Sequence, residues 1–272
     1  MKKTVADNIV RLRKKNNLTQ EKLASLLGVT FQSVSKWETA QTFPDITIIP
    51  KLADIFGVSV DTLLGYQAEK LKTTHYEEKY RGEKLYWGSH IWSRCYDVLR
   101  LMPPDRPLRV LDIGCGEGQA AVFFARNGYA VTAFDIAESG IEKGKKMARA
   151  WNVDVDYFCA DMLQYEITGS YDVIYASGVL QYIPHEERAR IIESIKRSTN
   201  KGGINILNVF VEKPFIDTAP DWEATEHIWK SGELFGYYHD WIFETSEEII
   251  FDCSSSGIPH KHCMDVLIAR KF

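Results

Sequence analysis

The sequence predicts two domains, a small all-α bundle followed by a larger α/β domain with a doubly wound, mostly parallel sheet of seven strands. Short helices separated by turns fill the amino-terminal part, whereas short apolar, β-rich runs alternate with helical stretches from residue 108 onward. Repeated strand-helix-strand units are typical of a parallel sheet that is covered on both faces. We therefore expect domains at 1–66 and 80–272, joined by a polar linker at 67–79.

The composition is that of a globular protein. Of the 272 residues, 45% are hydrophobic and 12% are aromatic, which is enough for a substantial core. No apolar run approaches the ~18 residues that cross a bilayer, and no apolar segment of a secretory signal follows the first lysines. The five cysteines form no CxxC pair. We expect a reducing, cytoplasmic location without disulfides or membrane contact.

Charge differs between the two predicted domains. Residues 1–66 contain 9 Lys/Arg and 6 Asp/Glu, a net charge of +3, whereas residues 67–272 carry a net charge of −7. The basic residues 1–66 can approach nucleic acid, whereas the acidic residues 67–272 are repelled by it. The two parts are therefore expected to have different partners.

The amino-terminal domain shows the pattern of a helix-turn-helix. Thr19 is a good N-cap for an amphipathic helix that Gly28 ends. Thr30 caps a second helix at 31–38, which is short and polar on its outer face. Pro44-Asp45 is expected to open a further helix. The alternative use of such a bundle is contact with another protein.

Several segments of this domain resemble the phage-repressor (Cro/repressor-like) family. They are Leu18–Ala24, Gly28–Thr30, Val34–Glu38, Pro44-Asp45 and Leu52–Leu64. The resemblance implies that the helix beginning near Thr30 enters the major groove of double-stranded DNA, and that the domain works as a homodimer.

The same resemblance implies roles for six residues toward DNA. Gln32 and Lys36 are the candidate base readers, and Phe31 is placed to touch a thymine methyl group. The residues expected to bond phosphates are Gln20, Thr30 and Ser33.

Three features of the α/β domain mark the expected carboxyl ends of its strands. The first strand-to-helix turn has glycine at positions 114, 116 and 118, and Gln119 stands where a dinucleotide fingerprint needs Gly or Ala. Asp135 follows the second strand, 21 residues after Gly114, where an acid can accept hydrogen bonds from ribose hydroxyls. Asp161 follows the third strand, where it could reach an adenine edge.

Together these features resemble class I S-adenosylmethionine-dependent methyltransferases. The segments that carry the resemblance are Val110–Gly118, Asp135, Ala160–Met162 and Asp172–Ser177. It implies S-adenosyl-L-methionine as cofactor, with the glycine turn around its methionine portion, Asp135 on the ribose and residues 161–162 around the adenine. The full set of expected cofactor-binding residues is Arg94, Asp112, Gly114, Cys115, Gly116, Asp135, Ile136, Asp161, Met162 and Ser177.

An aromatic-rich segment precedes the first strand of the sheet. Residues 80–100 include Tyr86, Trp87 and Trp92. One interpretation is an amphipathic helix that packs onto the domain. The other is a lid over a bound cofactor, with Arg94 free to hold a carboxylate, and the two are compatible.

The carboxyl-terminal part is similar to the tellurite-resistance methyltransferase family. The segments concerned are Asn127–Tyr129, Trp229–Leu234, Tyr237–Trp241 and Leu267–Lys271. Members of that family carry arginines after the Glu-Leu pair, whereas this chain has Phe235-Gly236. Loss of those charges argues against an oxyanion such as tellurite as the substrate.

No catalytic residue is assigned from the sequence. Methyl transfer from a sulfonium is an in-line displacement, so a soft nucleophile such as a thiolate, selenide or telluride needs alignment more than a base. An alcohol or amine acceptor would need a general base. The available candidates are His185, His227, His239, Tyr182 and Tyr238. Aromatic residues that could wall an apolar pocket, or equally pack in the core, are Trp222, Trp229, Tyr237 and Trp241.

A metal site is not predicted. On a strand, His260 and His262 would share one face while Cys263 faces the other, and no second ligand cluster is visible in the sequence.

Two functions remain open at this stage. The first is a small-molecule methyltransferase fused to a sequence-specific DNA-binding head. The alternative is a transcriptional regulator whose methyltransferase-like domain is a non-catalytic sensor of S-adenosylmethionine or another ligand. Methylation of DNA itself is disfavoured, because Ser177–Leu180 stands where an Asn/Asp-Pro-Pro-Tyr motif would follow the fourth strand.

Overall fold

A computed structural model divides the chain into two compact units, residues 1–72 and 73–272. It describes residues 2–16, 18–58, 60–64, 75–220, 222, 226–254 and 257–272. No helix among the described residues is long and apolar enough to cross a membrane.

The first unit is all-α. Its helices are α1 (Lys2–Lys15), α2 (Gln20–Leu27), α3 (Phe31–Glu38), α4 (Ile49–Phe56) and α5 (Val60–Leu64). One core joins them, in which Val34 of α3 and Leu52 of α4 are fully buried.

Local capping forms the helix-turn-helix at α2 and α3, as predicted. The side chain of Thr19 accepts a hydrogen bond from the backbone N–H of Lys22, and that of Thr30 accepts one from Ser33. Gly28 ends α2 with a φ of 69°, in the left-handed region that glycine enters without steric cost.

The predicted start of the next helix was wrong. It was placed at Pro44-Asp45, but α4 begins at Ile49. The carboxylate of Asp45 instead accepts hydrogen bonds from the backbone N–H and the hydroxyl of Thr47, at 2.9 and 2.6 Å. Such a local side-chain bond closes a turn and delays the helix.

The second unit contains a seven-stranded mixed sheet. The strands are β1 (Arg109–Ile113), β2 (Ala130–Asp135), β3 (Val155–Cys159), β4 (Tyr171–Ala176), β5 (Thr199–Phe210), β6 (Ile242–Cys253) and β7 (His260–Arg270). Their order is β3-β2-β1-β4-β5-β7-β6, with the first five parallel and β7 antiparallel to both of its neighbours. The predicted fold class, a doubly wound and mostly parallel sheet of seven strands, is confirmed.

Helices cover both faces of this sheet. They are α6 (His75–Tyr80), α7 (Arg94–Leu101), α8 (Gln119–Arg126), α9 (Glu138–Ala150), α10 (His185–Arg197) and α11 (Glu233–Tyr237). A core cluster lies on each face, and β4 is buried along its whole length. A strand that is covered on both faces is mostly apolar in sequence, and β4 follows this pattern.

The expected linker overlaps a helix. Residues 67–74 of the predicted 67–79 segment lie outside the described residues, and the rest belong to α6. The carboxylate of Glu77 accepts hydrogen bonds from the backbone N–H and the hydroxyl of Ser139, at the start of α9. Helix α6 is therefore part of the α/β unit.

A buried ion pair joins α10 to α11. The guanidinium of Arg188, only 2% exposed, donates to both carboxylate oxygens of Glu233 at 2.9 Å and stacks on the ring of Trp229. It also donates to the carbonyl oxygens of His227 and Ile228. Arg188 thereby satisfies acceptors from two neighbouring segments.

Replacement of Arg188 by alanine is expected to lower the free energy of unfolding by about 3–5 kcal/mol, because Glu233 would keep an uncompensated charge. Urea unfolding followed by circular dichroism measures the loss. Arg190→Ala, which removes an exposed pair with Glu187 and an exposed bond to the carbonyl of Leu163, is the control and should cost about 1–2 kcal/mol. Equal losses in the two variants would contradict this account.

Candidate functional site

A glycine turn connects β1 to α8 at the carboxyl edge of the sheet. Gly114 and Gly116 have φ values of 67° and 55°, in the left-handed region. A Cβ atom at Gly114 would lie 2.4 Å from the side chain of Val179, in the loop after β4. Glycine is required here both by its φ and by the close approach of the two loops.

Asp135 ties this turn to the end of β2. One of its carboxylate oxygens accepts a hydrogen bond from the backbone N–H of Gly116 at 2.8 Å, and the other accepts one from Ala137 at 2.8 Å. The preceding backbone N–H of the turn, that of Cys115, donates to the carbonyl of Phe134. Burial raises the pKa of Asp135. A carboxylate has about four lone-pair sites, so acceptor capacity remains for a ligand.

Asp112 contributes a buried acceptor below the turn. Its side chain is 1% exposed, and its Oδ2 atom has no hydrogen-bond partner among the described residues. Burial, with a smaller contribution from the nearby Asp135, raises the pKa of Asp112 to about 8. A buried carboxylate oxygen without a partner is a suitable acceptor for a cationic donor on a ligand.

The loop after β3 lies beside the end of β2. The backbone N–H of Ala160 donates to the carbonyl of Asp135 at 3.0 Å, which brings Asp161 and Met162 next to Asp135 and Ile136. Asp161 closes the loop by accepting from the backbone N–H of Leu163. The structure therefore brings the residues predicted for ribose and adenine together at one edge.

Ser177 lies on the other side of the turn, after β4. Its hydroxyl accepts a hydrogen bond from the side chain of Asn208 on β5 at 2.8 Å, and Asn208 accepts one from the backbone N–H of Gly178. Asn208 was missed by the sequence analysis. Its sequence signal is weak: it is one of two asparagines, with Asn205, in the mostly apolar second half of β5.

The expectation that Arg94 is free to hold a carboxylate was wrong. Its guanidinium forms an ion pair with Asp97 at 3.1 Å and another with Glu247 of β6. Helix α7, which carries Arg94, packs into the core through Cys95 and Val98. Two acidic neighbours already satisfy this side chain.

Glu117 was also missed, although it lies within the glycine turn. Its side chain is fully buried, and its carboxylate accepts hydrogen bonds from the backbone N–H groups of Tyr86 and Trp87. The ammonium of Lys143 on α9 neutralises it at 2.8 Å. Glu117 thus fixes the aromatic segment against the turn.

Five aromatic rings form a cluster, which we call the aromatic wall. They are Tyr76, Tyr80, Tyr86, Trp87 and Tyr182. A Cβ atom at Gly116 would lie 3.1 Å from the hydroxyl of Tyr80, so the wall borders the turn. The Lys79 ammonium lies 4.9 and 5.0 Å from the ring centroids of Tyr76 and Tyr86, so these rings already receive a cation.

The candidate bases are dispersed. Tyr238 is fully buried, its hydroxyl accepts from Asn205, and burial raises its pKa. Burial also raises the pKa of Tyr182, whose hydroxyl donates to Glu226. His185 and His239 are exposed.

Two of the aromatic residues considered as the lining of a pocket, Trp229 and Trp241, pack in the core instead. Trp229 is fully buried and donates to the carbonyl of Leu180, and Trp241 is buried in the same cluster.

Helix α3 presents a polar surface in the first unit. Phe31, Gln32 and Lys36 are exposed, whereas Val34 and Trp37 are buried against the core. The hydroxyls of Thr30 and Ser33 are 2.9 Å apart at the start of the helix. The predicted base readers therefore share an accessible helix face.

Gln20 lies within a polar network behind this face. Its amide donates to Glu38 at 2.6 Å, and Glu38 also forms a two-point ion pair with Arg13.

The fold and the glycine turn with its acidic neighbours define the class of the larger unit, a domain of the class I S-adenosylmethionine-dependent methyltransferase type. A family model described as "Tellurite resistance protein TehB" matches residues 73–252, more than half of the chain, and the chain belongs to this family. A helix-turn-helix family model matches residues 9–63.

Curated relatives are similar to part of the chain. "Probable S-adenosyl-L-methionine-dependent methyltransferase TehB" of Haemophilus influenzae is 30% identical over 178 residues, which are 64% of this chain and 61% of that protein. The chain thus covers about three fifths of that relative's length. "Ubiquinone biosynthesis O-methyltransferase" of Rickettsia akari is 34% identical over 101 residues, which are 37% of this chain and 39% of that protein.

Solved structures share the fold. The crystal structure of TehB from Haemophilus influenzae superimposes with a TM-score of 0.61 at 24% identity, covering 74% of this chain and 67% of that one. Magnesium protoporphyrin IX methyltransferase from Synechocystis, solved with bound SAH, superimposes with a TM-score of 0.52 at 15% identity, covering 89% of this chain and 95% of that one.

Gly114→Ala is expected to destabilise the protein more than Gly178→Ala. The two glycines have the same φ of 67°, but a Cβ atom at Gly178 meets nothing within 4 Å. Gly178→Ala should cost about 1–2 kcal/mol for its left-handed backbone, and Gly114→Ala a further ~1–3 kcal/mol for its clash with Val179. Urea unfolding measures both, and equal costs would show that the two loops do not approach closely.

Proposed function

We propose that the larger unit is an S-adenosyl-L-methionine-dependent methyltransferase that acts on a small molecule. The observation that carries the proposal is the hydrogen bond from the Gly116 backbone to Asp135, which holds a glycine turn against an acid at the carboxyl edge of the sheet. Membership of the TehB family and the names of the relatives support it.

The residues of the turn fit this cofactor. Asp135 offers two carboxylate oxygens to ribose hydroxyls, and the loop at 161–162 lies beside it for the adenine. The unpartnered oxygen of Asp112 suits the positively charged amino group of the methionine portion. Cys115 and the loop at Ser177 complete the surroundings of the turn.

The bound cofactor supplies a methyl group on a sulfonium. Faces of the aromatic wall favour such a cation, as they already favour the Lys79 ammonium. Glu117 holds Tyr86 and Trp87 of this wall in place through their backbone N–H groups.

A soft acceptor suits this pocket best. Among the described candidates, Tyr182 and Tyr238 have raised pKa values, which makes each a reluctant donor of its proton. His185 and His239 lie exposed at the surface, and His227 is half-buried. A thiolate or another soft, deprotonated nucleophile needs no base and requires only alignment with the sulfonium. We infer an acceptor of this chemical class, with tellurium and selenium species among those to be tried.

Turnover of S-adenosylmethionine to S-adenosylhomocysteine tests the enzyme proposal. The full chain is incubated with small thiols, selenite, tellurite, amines and phenols, and products are followed by mass spectrometry. We expect a methylated product from the soft class in the wild-type chain. Methylation confined to amines or phenols would contradict the inferred acceptor class.

Asp135→Asn tests the placement of the cofactor. Loss of a charged hydrogen bond to the ribose should weaken S-adenosylmethionine binding about 10- to 100-fold. Isothermal titration calorimetry measures the affinity, and Asp154→Asn, at an exposed position, is the matched control. Unchanged affinity in Asp135→Asn would contradict the site assignment.

We further propose that the first unit binds double-stranded DNA as a homodimer. Support comes from the helix-turn-helix match and from the exposed face of α3, where Gln32 and Lys36 are accessible. Gln pairs well with adenine and Lys with guanine, while Thr30 and Ser33 suit phosphate oxygens. A dimer would read two half-sites about one helical turn apart.

Selection of binding sites from random duplex DNA tests this proposal. The wild-type chain should enrich one motif, and Gln32→Ala with Lys36→Ala should lose that motif, because good base contacts contribute about 1–3 kcal/mol each. Lys51→Ala, at an exposed position of α4, is the charge-matched control. The same motif from the double variant would exclude α3 as the reading helix.

The sensor function is the second candidate. The presence of a helix-turn-helix and a TehB-family domain in one chain favours it, since cofactor occupancy could then bias DNA binding. Cofactor binding without turnover on any acceptor, together with a change of DNA affinity on binding, is the result that would select this function.

A further inference from the structure

We propose that Cys253, His260 and His262 form a binding site for one transition-metal ion of the Zn²⁺ class. Strands β6 and β7 pair in a register that places Cys253 directly opposite His260. Directly opposed residues project from the same face of a sheet, and so do residues two apart on one strand. The three ligand atoms consequently lie within 4.8 Å of one another.

These separations suit a tetrahedral ion. Typical Zn–N and Zn–S bonds place neighbouring ligand atoms about 3.3–3.6 Å apart. The two Nε2 atoms of His260 and His262 are 2.9 Å apart. Small side-chain rotations would therefore bring all three ligands onto one ion.

The surroundings support ligand orientation at both histidines. Nδ1 of His260 lies 2.7 Å from the carbonyl oxygen of Ile258, and donation of its proton there leaves Nε2 with a lone pair for a metal. Metal-binding histidines commonly make such a bond. The ring of His262 stacks on Trp222, with centroids 5.8 Å apart and planes inclined by 18°, and also contacts Phe210.

The donor set indicates the class of ion. One thiolate and two imidazoles suit Zn²⁺ or Cu⁺, whereas Mg²⁺ and Ca²⁺ take oxygen ligands. Three protein ligands leave a fourth position for water or an incoming ligand, as in open zinc sites. Cys253 and His260 are half-buried while His262 is buried, so an ion could enter from the solvent side.

The site lies at the carboxyl edge of the sheet. Phe210, the last residue of β5, pairs with Met264 of β7, so His262 and His260 extend beyond the end of β5. Ligands of parallel α/β sheets bind at this edge. Through its contact with Trp222, His262 connects the proposed site to the segment that follows β5.

The sequence predicted no metal site because His260, His262 and Cys263 were compared along one strand only. That comparison correctly separated Cys263, which is buried in the core, from the two histidines. Cys253 is seven positions before His260, and only the pairing of the two strands brings it to the same face.

Co²⁺ titration of the metal-stripped full chain tests the proposal, followed by displacement with Zn²⁺. We expect one equivalent of Co²⁺ to bind, with a thiolate-to-cobalt charge-transfer band and the visible bands of a tetrahedral ion. Zn²⁺ should abolish both. Cys253→Ser should remove the charge-transfer band, and His262→Gln should weaken binding about 100-fold or more, because even loss of a residue that only orients a ligand costs 10- to 100-fold.

Matched variants separate this site from other ligands. Cys159→Ser and His239→Gln change exposed residues elsewhere and should bind Co²⁺ as the wild type does. Far-ultraviolet circular dichroism checks that each variant is folded. If a variant is not folded, His260→Asn is measured in its place, because His260 is only half-buried. Absence of a thiolate band in the wild type, or its persistence in folded Cys253→Ser, would overturn the proposal.

Discussion

The carboxylate of Asp135 accepts a hydrogen bond from the backbone N–H of Gly116, and the rest of the candidate pocket depends on this interaction. It joins the loop after β1 to the end of β2, and the carbonyl of Asp135 binds the loop after β3 through Ala160. Three loops that are distant in sequence thereby share one anchor. An acid buried at this point keeps lone pairs for a ligand even though its own backbone contacts are satisfied.

The aromatic part of the pocket depends on an acid within the glycine turn itself. Glu117 is buried, paired with Lys143, and bonded to the backbone of Tyr86 and Trp87. A charge is costly to bury unless it is paired and hydrogen-bonded, and here both conditions are met. The aromatic segment is therefore built into the α/β unit, and its rings provide an apolar, cation-favouring surface beside the glycines.

The two proposals for the α/β unit concern neighbouring parts of one edge of the sheet. The cofactor pocket is formed around β1, β2 and β4, whereas the proposed metal site lies where β7 begins, beyond the end of β5. A soft methyl acceptor and a thiolate-containing metal site share a chemical preference for polarisable partners. The two sites are formed by different residues, so each can be tested by its own variants.

Local patterns in the sequence were sufficient to predict the caps at Thr19 and Thr30, the buried strand β4, and the glycine turn with Asp135. The caps depend on residues a few positions apart. The strand and the turn belong to a repeated strand-helix unit. The neighbours of Arg94 and Cys253 could not be predicted from the sequence and are seen only in the tertiary structure. Glu247 and His260 reach them through strand pairing and helix packing. Register is a long-range property, and periodicity within one segment carries no information about which residue faces it across a sheet.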